Sequence, residues 1–190
     1  SANKKIRSGA TTAVFAVLEN SGDFIAASVG DSPIYVISKL AINKSTAKML
    51  LPLDRLVADG NSIMKFFSYR SVVTAVLGSN EELNIHFYHG KLEPKDVLLL
   101  VSDGVSDNLF VEIREGDVIN SSGESDLQNM LKNQLETPKT ISKKITSTIL
   151  HRIAHFEQNG HLEFDPKKKL VPKQDDLSII ATRFDSEAKS

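Results

Sequence analysis

The 190-residue sequence contains no cysteine, which excludes disulfides, thiolate zinc sites and a cysteine nucleophile. No apolar run approaches the roughly 18 residues that a membrane-spanning helix needs. The first residues, SANKKIRSGATTAVF, lack the layout of a secretory signal. These absences favour an intracellular, cytoplasmic protein without a membrane partner. A targeting signal upstream of Ser1 is compatible with the sequence.

The chain also lacks an excess of positive or negative charge, since its 23 Lys and Arg are balanced by 24 Asp and Glu. A near-neutral chain offers no electrostatic basis for binding nucleic acid, and no glycine-rich phosphate loop supports nucleotide binding. The one locally basic stretch, PKKKLVPK over residues 166–173, is interpreted as a solvated loop. With 41% hydrophobic residues, the chain can bury a core of its own. We therefore predict a single domain over residues 1–190.

The first half of the chain has the composition of strands. From residue 10 to 38, β-branched and aromatic runs alternate with Gly, Asn, Asp and Pro, which predicts a three-stranded meander. Residues 40–70 have weak periodicity and are interpreted as an irregular connection with a short helix. The segment 83–104 is typical of a hairpin, and its second strand, DVLLLV, is apolar enough to be buried on both faces. A closing strand is predicted over 176–184.

Two helices are predicted between these last strands, over residues 124–136 and 137–160. In the second helix, isoleucine recurs every four residues, at positions 141, 145, 149 and 153. Thr137 suits the N-cap and Gly160 suits the residue that ends the helix. Strands first and helices late predict an α+β fold, with helices packed on antiparallel sheet, and not alternating βαβ units.

Aspartate occurs at the edge of three apolar strands: Asp31 in SVGDSPIYV, Asp103 and Asp107 in LLLVSDGVSDNL, and Asp175 and Asp176 in KQDDLSIIA. Carboxylates without His or Cys partners favour a hard divalent cation, Mg²⁺ or Mn²⁺. Packed closely, they would repel one another without a cation between them. Aspartate before Gly or Ser is also common in turns and caps. The residues alone leave both interpretations open.

The same segments, in the same order, resemble the motifs of the metal-dependent protein phosphatases, the type-2C serine/threonine phosphatase family. SGATTAVFAVL is similar to the family's Gly-x-Thr-Ala strand, and AASVGDSPIYVI to its Ala-Asn-x-Gly-Asp-Ser-Arg strand and turn. SVVTAVLG resembles the segment before its next hairpin, DVLLLVSDGVSDNL its Ser-Asp-Gly-Leu-x-Asp motif, and KQDDLSIIATRF its closing strand. The resemblance spans residues 8–184 and implies an α-β-β-α sandwich of antiparallel sheets with helices on the outer faces.

The resemblance also implies roles for individual residues. Asp103 and Asp175 match the family's metal-binding aspartates, and Asp176 stands where the family often has Asn. Asp31 matches a supporting residue near the active site, and Asp107 an acidic residue that fixes the loop after Asp103. The implied cofactor is a pair of Mg²⁺ or Mn²⁺ ions that activates water to hydrolyse phosphoserine or phosphothreonine in a phosphoprotein substrate.

The sequence departs from the family pattern in several places. The Asp-Gly-x-Gly metal motif and the phosphate-contacting Arg, both upstream of the Gly-Asp-Ser turn in the family, are absent here. Pro33 stands where Arg is usual, and Ser106 where a large aromatic is common. We expect a phosphatase domain that is incomplete at its N-terminus, with a segment or partner covering the exposed edge. The alternatives are a catalytically inactive phosphatase-like module for protein binding or regulation, and a shortened active variant with substitute ligands.

Overall fold

The fold is known from a computed structural model, which describes residues 9–41, 44–49, 61–62, 73, 76–78, 85–110, 112–115, 117–120, 123–131, 137–163 and 170–185. The strands in these ranges are β1 (Ala13–Leu18), β2 (Asp23–Val29), β3 (Ile34–Ala41), β4 (Lys44–Met49), β5 (Asn61–Ser62), β6 (His86–Lys91), β7 (Val97–Val101), β8 (Glu112–Arg114), β9 (Asp117–Asn120) and β10 (Ile179–Arg183). The helices are α1 (Asp103–Ser106), α2 (Glu124–Leu131) and α3 (Pro138–Asn159).

The strands form three antiparallel sheets. The first sheet has the order β1-β2-β6, the second has the order β10-β7-β3-β4, and a small third sheet has the order β5-β9-β8. Helices α2 and α3 pack on the second sheet through β4 and β10, respectively. The predicted α+β class with antiparallel sheets is confirmed. None of the described helices is long and apolar enough to cross a membrane.

Two predicted connections are wrong. Strands β2 and β3 are joined by a short turn but lie in different sheets, so the meander ends after β2. Strands β6 and β7 also lie in different sheets and do not form a hairpin. The reason is that alternation along a strand reports which faces are buried and not which strand lies beside it. Residues 40–70 were expected to be irregular, but β4 lies there and extends the second sheet. Apart from the end of β3 and strands β4 and β5, this stretch lies outside the described residues, and the short helix expected in it stays a prediction.

Strand β7 lies at the centre of the molecule and contributes to two hydrophobic cores. Leu98 and Leu100 point between the two main sheets, where they pack with Phe24, Ile34 and Phe184. Alternate residues point to the helices, so a second core contains the following buried side chains: Tyr35, Val97, Leu99, Val101, Leu127, Ile141, Ile145 and Ile149. The prediction that β7 is buried on both faces is confirmed. This double burial fixes the end of β7, from which the candidate site begins.

Helix α3 has the ends that its sequence predicts. The side-chain oxygen of Thr137 accepts a hydrogen bond from the Thr140 N–H at 3.1 Å, and Pro138 occupies the first turn. Gly160 ends the helix in the left-handed conformation, with φ of 68°, and its N–H donates to the Phe156 carbonyl at 2.7 Å. The first three isoleucines of the repeat are fully buried against the second sheet. The predicted amphipathic helix is therefore confirmed.

The two main sheets differ in how their outer faces are covered. The second sheet carries α2 and α3. On the first sheet, Phe15, Val17, Ile25 and Phe87 point outward and are each more than half exposed. Within the described ranges, no helix packs on this face. Among the described residues, three layers of the expected four-layer order are present: helices, second sheet and first sheet.

Candidate active site

The candidate site lies at one end of the second sheet, where β7 finishes and β10 begins. Val101, the last residue of β7, is paired with Ile179, the first residue of the antiparallel β10. Asp103 follows β7 by two residues, and Asp175 precedes β10 by four. Because the two strands run in opposite directions, the chain leaving β7 and the chain entering β10 meet at this end. The register therefore brings together acidic residues more than 70 positions apart.

Three carboxylates converge on one ammonium, that of Lys173. Its Nζ donates a short hydrogen bond to Asp103 Oδ2, and lies 3.1 Å from Asp175 Oδ2 and 3.2 Å from Asp107 Oδ2. We call these four residues the carboxylate–lysine cluster. Both predicted metal ligands belong to it. Asp107 and Lys173 belong to it as well. Asp107 was expected only to fix a turn, and Lys173 was expected in a solvated loop.

Burial makes the charges of this cluster depend on one another. The Asp107 side chain is 0% exposed and that of Lys173 16%, against 29% for Asp103 and 41% for Asp175. A carboxylate as buried as Asp107 needs a cation close by to remain ionised. Burial alone would lower the pKa of Lys173, but the carboxylates outweigh it and raise that pKa above its usual value. The hydrogen bond from Lys173, together with the Asp176 N–H, lowers the pKa of Asp175.

Asn108 holds the backbone that carries Lys173. Its side-chain Nδ2 donates to the carbonyls of Gly104 at 2.7 Å and Lys173 at 2.8 Å, while its Oδ1 accepts from the Lys173 N–H at 2.8 Å. The amide is buried, and two of its three bonds span 65 residues of sequence. Sequence reasoning missed this role, because an Asn after Asp107 also suits an ordinary turn.

Ser102 fastens the next part of the same segment. Its hydroxyl donates to the Asp176 carbonyl at 3.0 Å and accepts from the Ser178 N–H at 3.0 Å. Ser102 is also the residue before α1, so the same side chain links the helix start to the entry of β10. Asn108 and Ser102 together bracket residues 173–178 against α1, which positions Asp175 opposite Asp103.

The glycine of the Ser-Asp-Gly motif is required by close packing. A Cβ on Gly104 would lie 2.3 Å from the Asp176 carbonyl oxygen and 3.3 Å from the Asp175 Cβ. The first distance is far below van der Waals contact with a backbone atom that cannot rotate away. Gly104 thus lets the two acidic segments approach each other.

A buried ion pair supports the loop after α1. Arg152 of α3 contacts Asp126 of α2 through two parallel bonds, at 2.6 and 2.8 Å, and also donates to the Asn108 carbonyl at 3.0 Å. Asp126 accepts in addition from the Phe110 N–H at 2.6 Å. This bidentate geometry is specific to arginine and ties both helices to the loop that carries Asn108. Neither charged residue stands in a recognisable motif, so sequence reasoning missed them.

Asp31 is buried in the turn between β2 and β3. The Pro33 carbonyl of this turn accepts a hydrogen bond from the Val101 N–H at 3.2 Å, which brings the turn beside the end of β7. Gly30 precedes it with φ of 101°, and a Cβ there would lie 2.4 Å from a methyl carbon of Thr12. Asp31 is therefore at the same end of the second sheet as Asp103, but it is not one of the three carboxylates that bind Lys173.

With this geometry in place, the chain can be compared with known proteins. No family model matches the sequence, and no curated protein is significantly similar to it. Solved structures do match. A bacterial serine phosphatase has a TM-score of 0.56 at 15% identity, over 93% of this chain and 59% of the other. The phosphatase domain of SpoIIE from Bacillus subtilis has a TM-score of 0.52 at 13% identity, over 95% and 61%. The chain has a type-2C phosphatase-like fold.

A third match supports the same fold with smaller overlap. The serine/threonine phosphatase Stp1 from Staphylococcus aureus has a TM-score of 0.50 at 17% identity, over 74% of this chain and 50% of the other. The chain spans about three fifths of the length of the first two phosphatase structures. The predicted type-2C phosphatase-like fold is thus confirmed, for the part of that fold which the chain contains.

The type-2C phosphatase-like fold implies a metal centre, and the cluster can be tested for it. Asp103, Asp107 and Asp175 supply carboxylate oxygens that converge on one cation, which is the donor set that a hard divalent ion prefers. The position at their centre is taken by the Lys173 ammonium. As arranged, no group of three or more His, Asp or Glu side chains among the described residues could hold a metal ion. The donor chemistry fits a divalent ion, provided that the ammonium moves aside.

Proposed function

We propose that the chain is part of a metal-dependent protein serine/threonine phosphatase. The observation that carries this proposal is the convergence of Asp103 and Asp175 on one cationic atom, at an end of the second sheet. The two residues come from separate segments, and the family resemblance implied metal binding for each of them. The likeness in fold to serine and serine/threonine phosphatases supports phosphoserine and phosphothreonine proteins as the substrates.

In this proposal the chain's own residues position the centre. Asp103 and Asp175 would hold Mg²⁺ or Mn²⁺ through their carboxylates. The chemistry that such ions supply when bound is activation of a water molecule and neutralisation of phosphoryl charge. Asp107, which is fully buried, fixes the loop after Asp103. Asn108 holds the backbone that leads to Asp175, and Asp31 supports the site from the neighbouring turn.

The proposal is tested by following phosphate release from phosphoserine, phosphothreonine and phosphotyrosine peptides, with Mn²⁺ and with a chelator. We expect release from the first two peptides, dependent on Mn²⁺. Loss of a ligand in Asp103→Asn or Asp175→Asn should lower activity by at least the roughly 10–100-fold that loss of an outer-shell partner costs. Asp23→Asn is the matched control, since Asp23 is an exposed carboxylate that also faces a lysine, Lys91, at 3.9 Å. Hydrolysis that survives the chelator, or equal activity in all variants, would reject the proposal.

A second function, that of a catalytically inactive phosphatase-like module, is favoured by one observation. The Lys173 ammonium already occupies the position between the carboxylates that a metal would use. A module of this kind would bind phosphopeptides or other protein partners without hydrolysing them. Mn²⁺ calorimetry separates the two functions: heat of binding that is lost in Asp103→Asn supports the enzyme, and no heat, combined with phosphopeptide binding, supports the module.

A further inference from the structure

We propose that Lys173 is a built-in competitor of the divalent cation: its ammonium must leave the carboxylates when a metal binds, so this residue sets the metal affinity of the site. The inference rests on the proposed function, because it presumes that Asp103 and Asp175 are the ligands. It goes beyond that function by assigning a role to Lys173, for which the family resemblance implies none.

The competition follows from shared oxygens. The ammonium contacts the Oδ2 atoms of Asp103 and Asp175, the two carboxylates that the metal requires. A divalent ion on these oxygens would lie within a few ångströms of the ammonium. Two positive charges that close together in a partly buried site repel each other strongly. The carboxylates can therefore hold the lysine or the metal, but not both in the present arrangement.

The cluster keeps an attraction for a second cation even with Lys173 in place. Three carboxylates against one ammonium leave two negative charges. This excess draws in a divalent ion, and the ion's higher charge favours it over the ammonium. When the metal leaves, the Lys173 ammonium can return to the carboxylates. While no metal is bound, it is the counter-ion of the fully buried Asp107.

Only the side chain of Lys173 has to move. Asn108 holds the backbone of Lys173 at both its N–H and its carbonyl, so the segment stays in place during an exchange. The lysine stem has four rotatable carbons, and its strongly hydrated ammonium gains solvation on leaving. Since the side chain is still 16% exposed, and the neighbouring Asp175 is 41% exposed, the ammonium lies close to solvent.

The test compares Mn²⁺ affinity, measured by electron paramagnetic resonance of free Mn²⁺ and by calorimetry, in four proteins. These are the wild type, Lys173→Met, the double variant Lys173→Met/Asp107→Asn, and the control Lys143→Met, which changes an exposed lysine on α3. We expect Lys173→Met to bind Mn²⁺ at least about tenfold more tightly than the wild type. The double variant removes both charges of the buried pair, so it covers the case in which Lys173→Met fails to fold. The control should match the wild type.

A second measurement follows Lys173 itself in the wild type. Acetylation of lysines by a reactive ester, mapped by mass spectrometry, should become faster at Lys173 as Mn²⁺ is added and remain constant at Lys143. If the wild type binds Mn²⁺ through Asp103 and Asp175 while Lys173→Met binds no more tightly, the inference is overturned and the proposed function remains. If none of the four proteins binds Mn²⁺, both are overturned.

Discussion

Replacing Asn108 by alanine should destabilise the protein more than an ordinary polar substitution. The amide makes three hydrogen bonds, and two of them satisfy the N–H and carbonyl of one residue, Lys173. A typical hydrogen bond contributes about 1 kcal/mol, and a buried backbone group left without a partner costs about 1–3 kcal/mol. Alanine cannot restore either group. We therefore expect the free energy of unfolding to fall by about 3 kcal/mol.

The assay is urea and thermal unfolding followed by circular dichroism. For a chain of this length, 1 kcal/mol corresponds to about 2–4 °C in Tm, so Tm should fall by roughly 6–12 °C. Amide hydrogen exchange adds a local test, because the Lys173 N–H should lose on the order of 100-fold protection when its acceptor is removed. The matched control is Asn159→Ala: that exposed side chain makes one bond, to the His155 carbonyl at 3.0 Å. We expect a change within about 0.5 kcal/mol there.

The reasoning about Asn108 would be refuted by a specific result. If Asn108→Ala unfolds within about 1 kcal/mol of the wild type, and the Lys173 amide exchanges at an unchanged rate, then the amide does not hold the segment. A loss of stability without faster exchange at Lys173 would mean that Asn108 acts through Gly104 alone.

Three further predictions concern the surroundings of the cluster. In Gly104→Ala the new Cβ would lie 2.3 Å from a backbone carbonyl oxygen, so the free energy of unfolding should fall by roughly 2 kcal/mol or more and Mn²⁺ binding should weaken. Wild-type values of both, measured by calorimetry, would contradict the close packing. Asp126→Asn leaves the guanidinium of Arg152 buried without its counter-ion, so the free energy of unfolding in urea should fall by about 3–5 kcal/mol. A fall of less than about 1 kcal/mol would show that solvent compensates the lost carboxylate. Since Lys173 lowers the pKa of Asp175, the stability that Asp175 contributes is present above about pH 4 and is lost as the pH falls through its folded-state pKa. The difference in unfolding free energy between the wild type and Asp175→Asn should therefore shrink below about pH 4. A difference that stays constant with pH would contradict the ion pair.

Much of the fold could be predicted from local sequence. The isoleucine repeat with Thr137 and Gly160 predicted α3 and both of its ends, because periodicity and capping act within a few residues. The run VLLLV predicted a strand buried on both faces, and the two cores that meet at β7 confirm it. Sheet membership could not be predicted in the same way. The turn after β2 and the connection after β6 lead into the other sheet, since nothing local specifies the neighbour of a strand.

The candidate site, too, could be predicted only in part from the sequence. Asp103 and Asp175 could be singled out by the motifs that resemble the phosphatase family, whereas the close approach that requires Gly104 was visible only in the structure. Lys173 could not, because PKKKLVPK has the composition of a solvated basic loop, whereas the structure surrounds its last lysine with three carboxylates. Asn108 and Arg152 likewise act across long separations, 65 residues in one case and 44 in the other.

By itself, the sequence determined where strands and helices form and which aspartates lie at strand ends, since hydrophobic periodicity and turn chemistry depend on neighbouring residues. Only the tertiary structure decided that those aspartates share one ammonium. That result comes from the antiparallel pairing of β7 with β10, which brings Lys173 and the neighbouring Asp175 to Asp103, 70 residues before Lys173 in the chain. Burial then makes this ion pairing necessary, because the fully buried Asp107 requires a cation beside it and Lys173 supplies one.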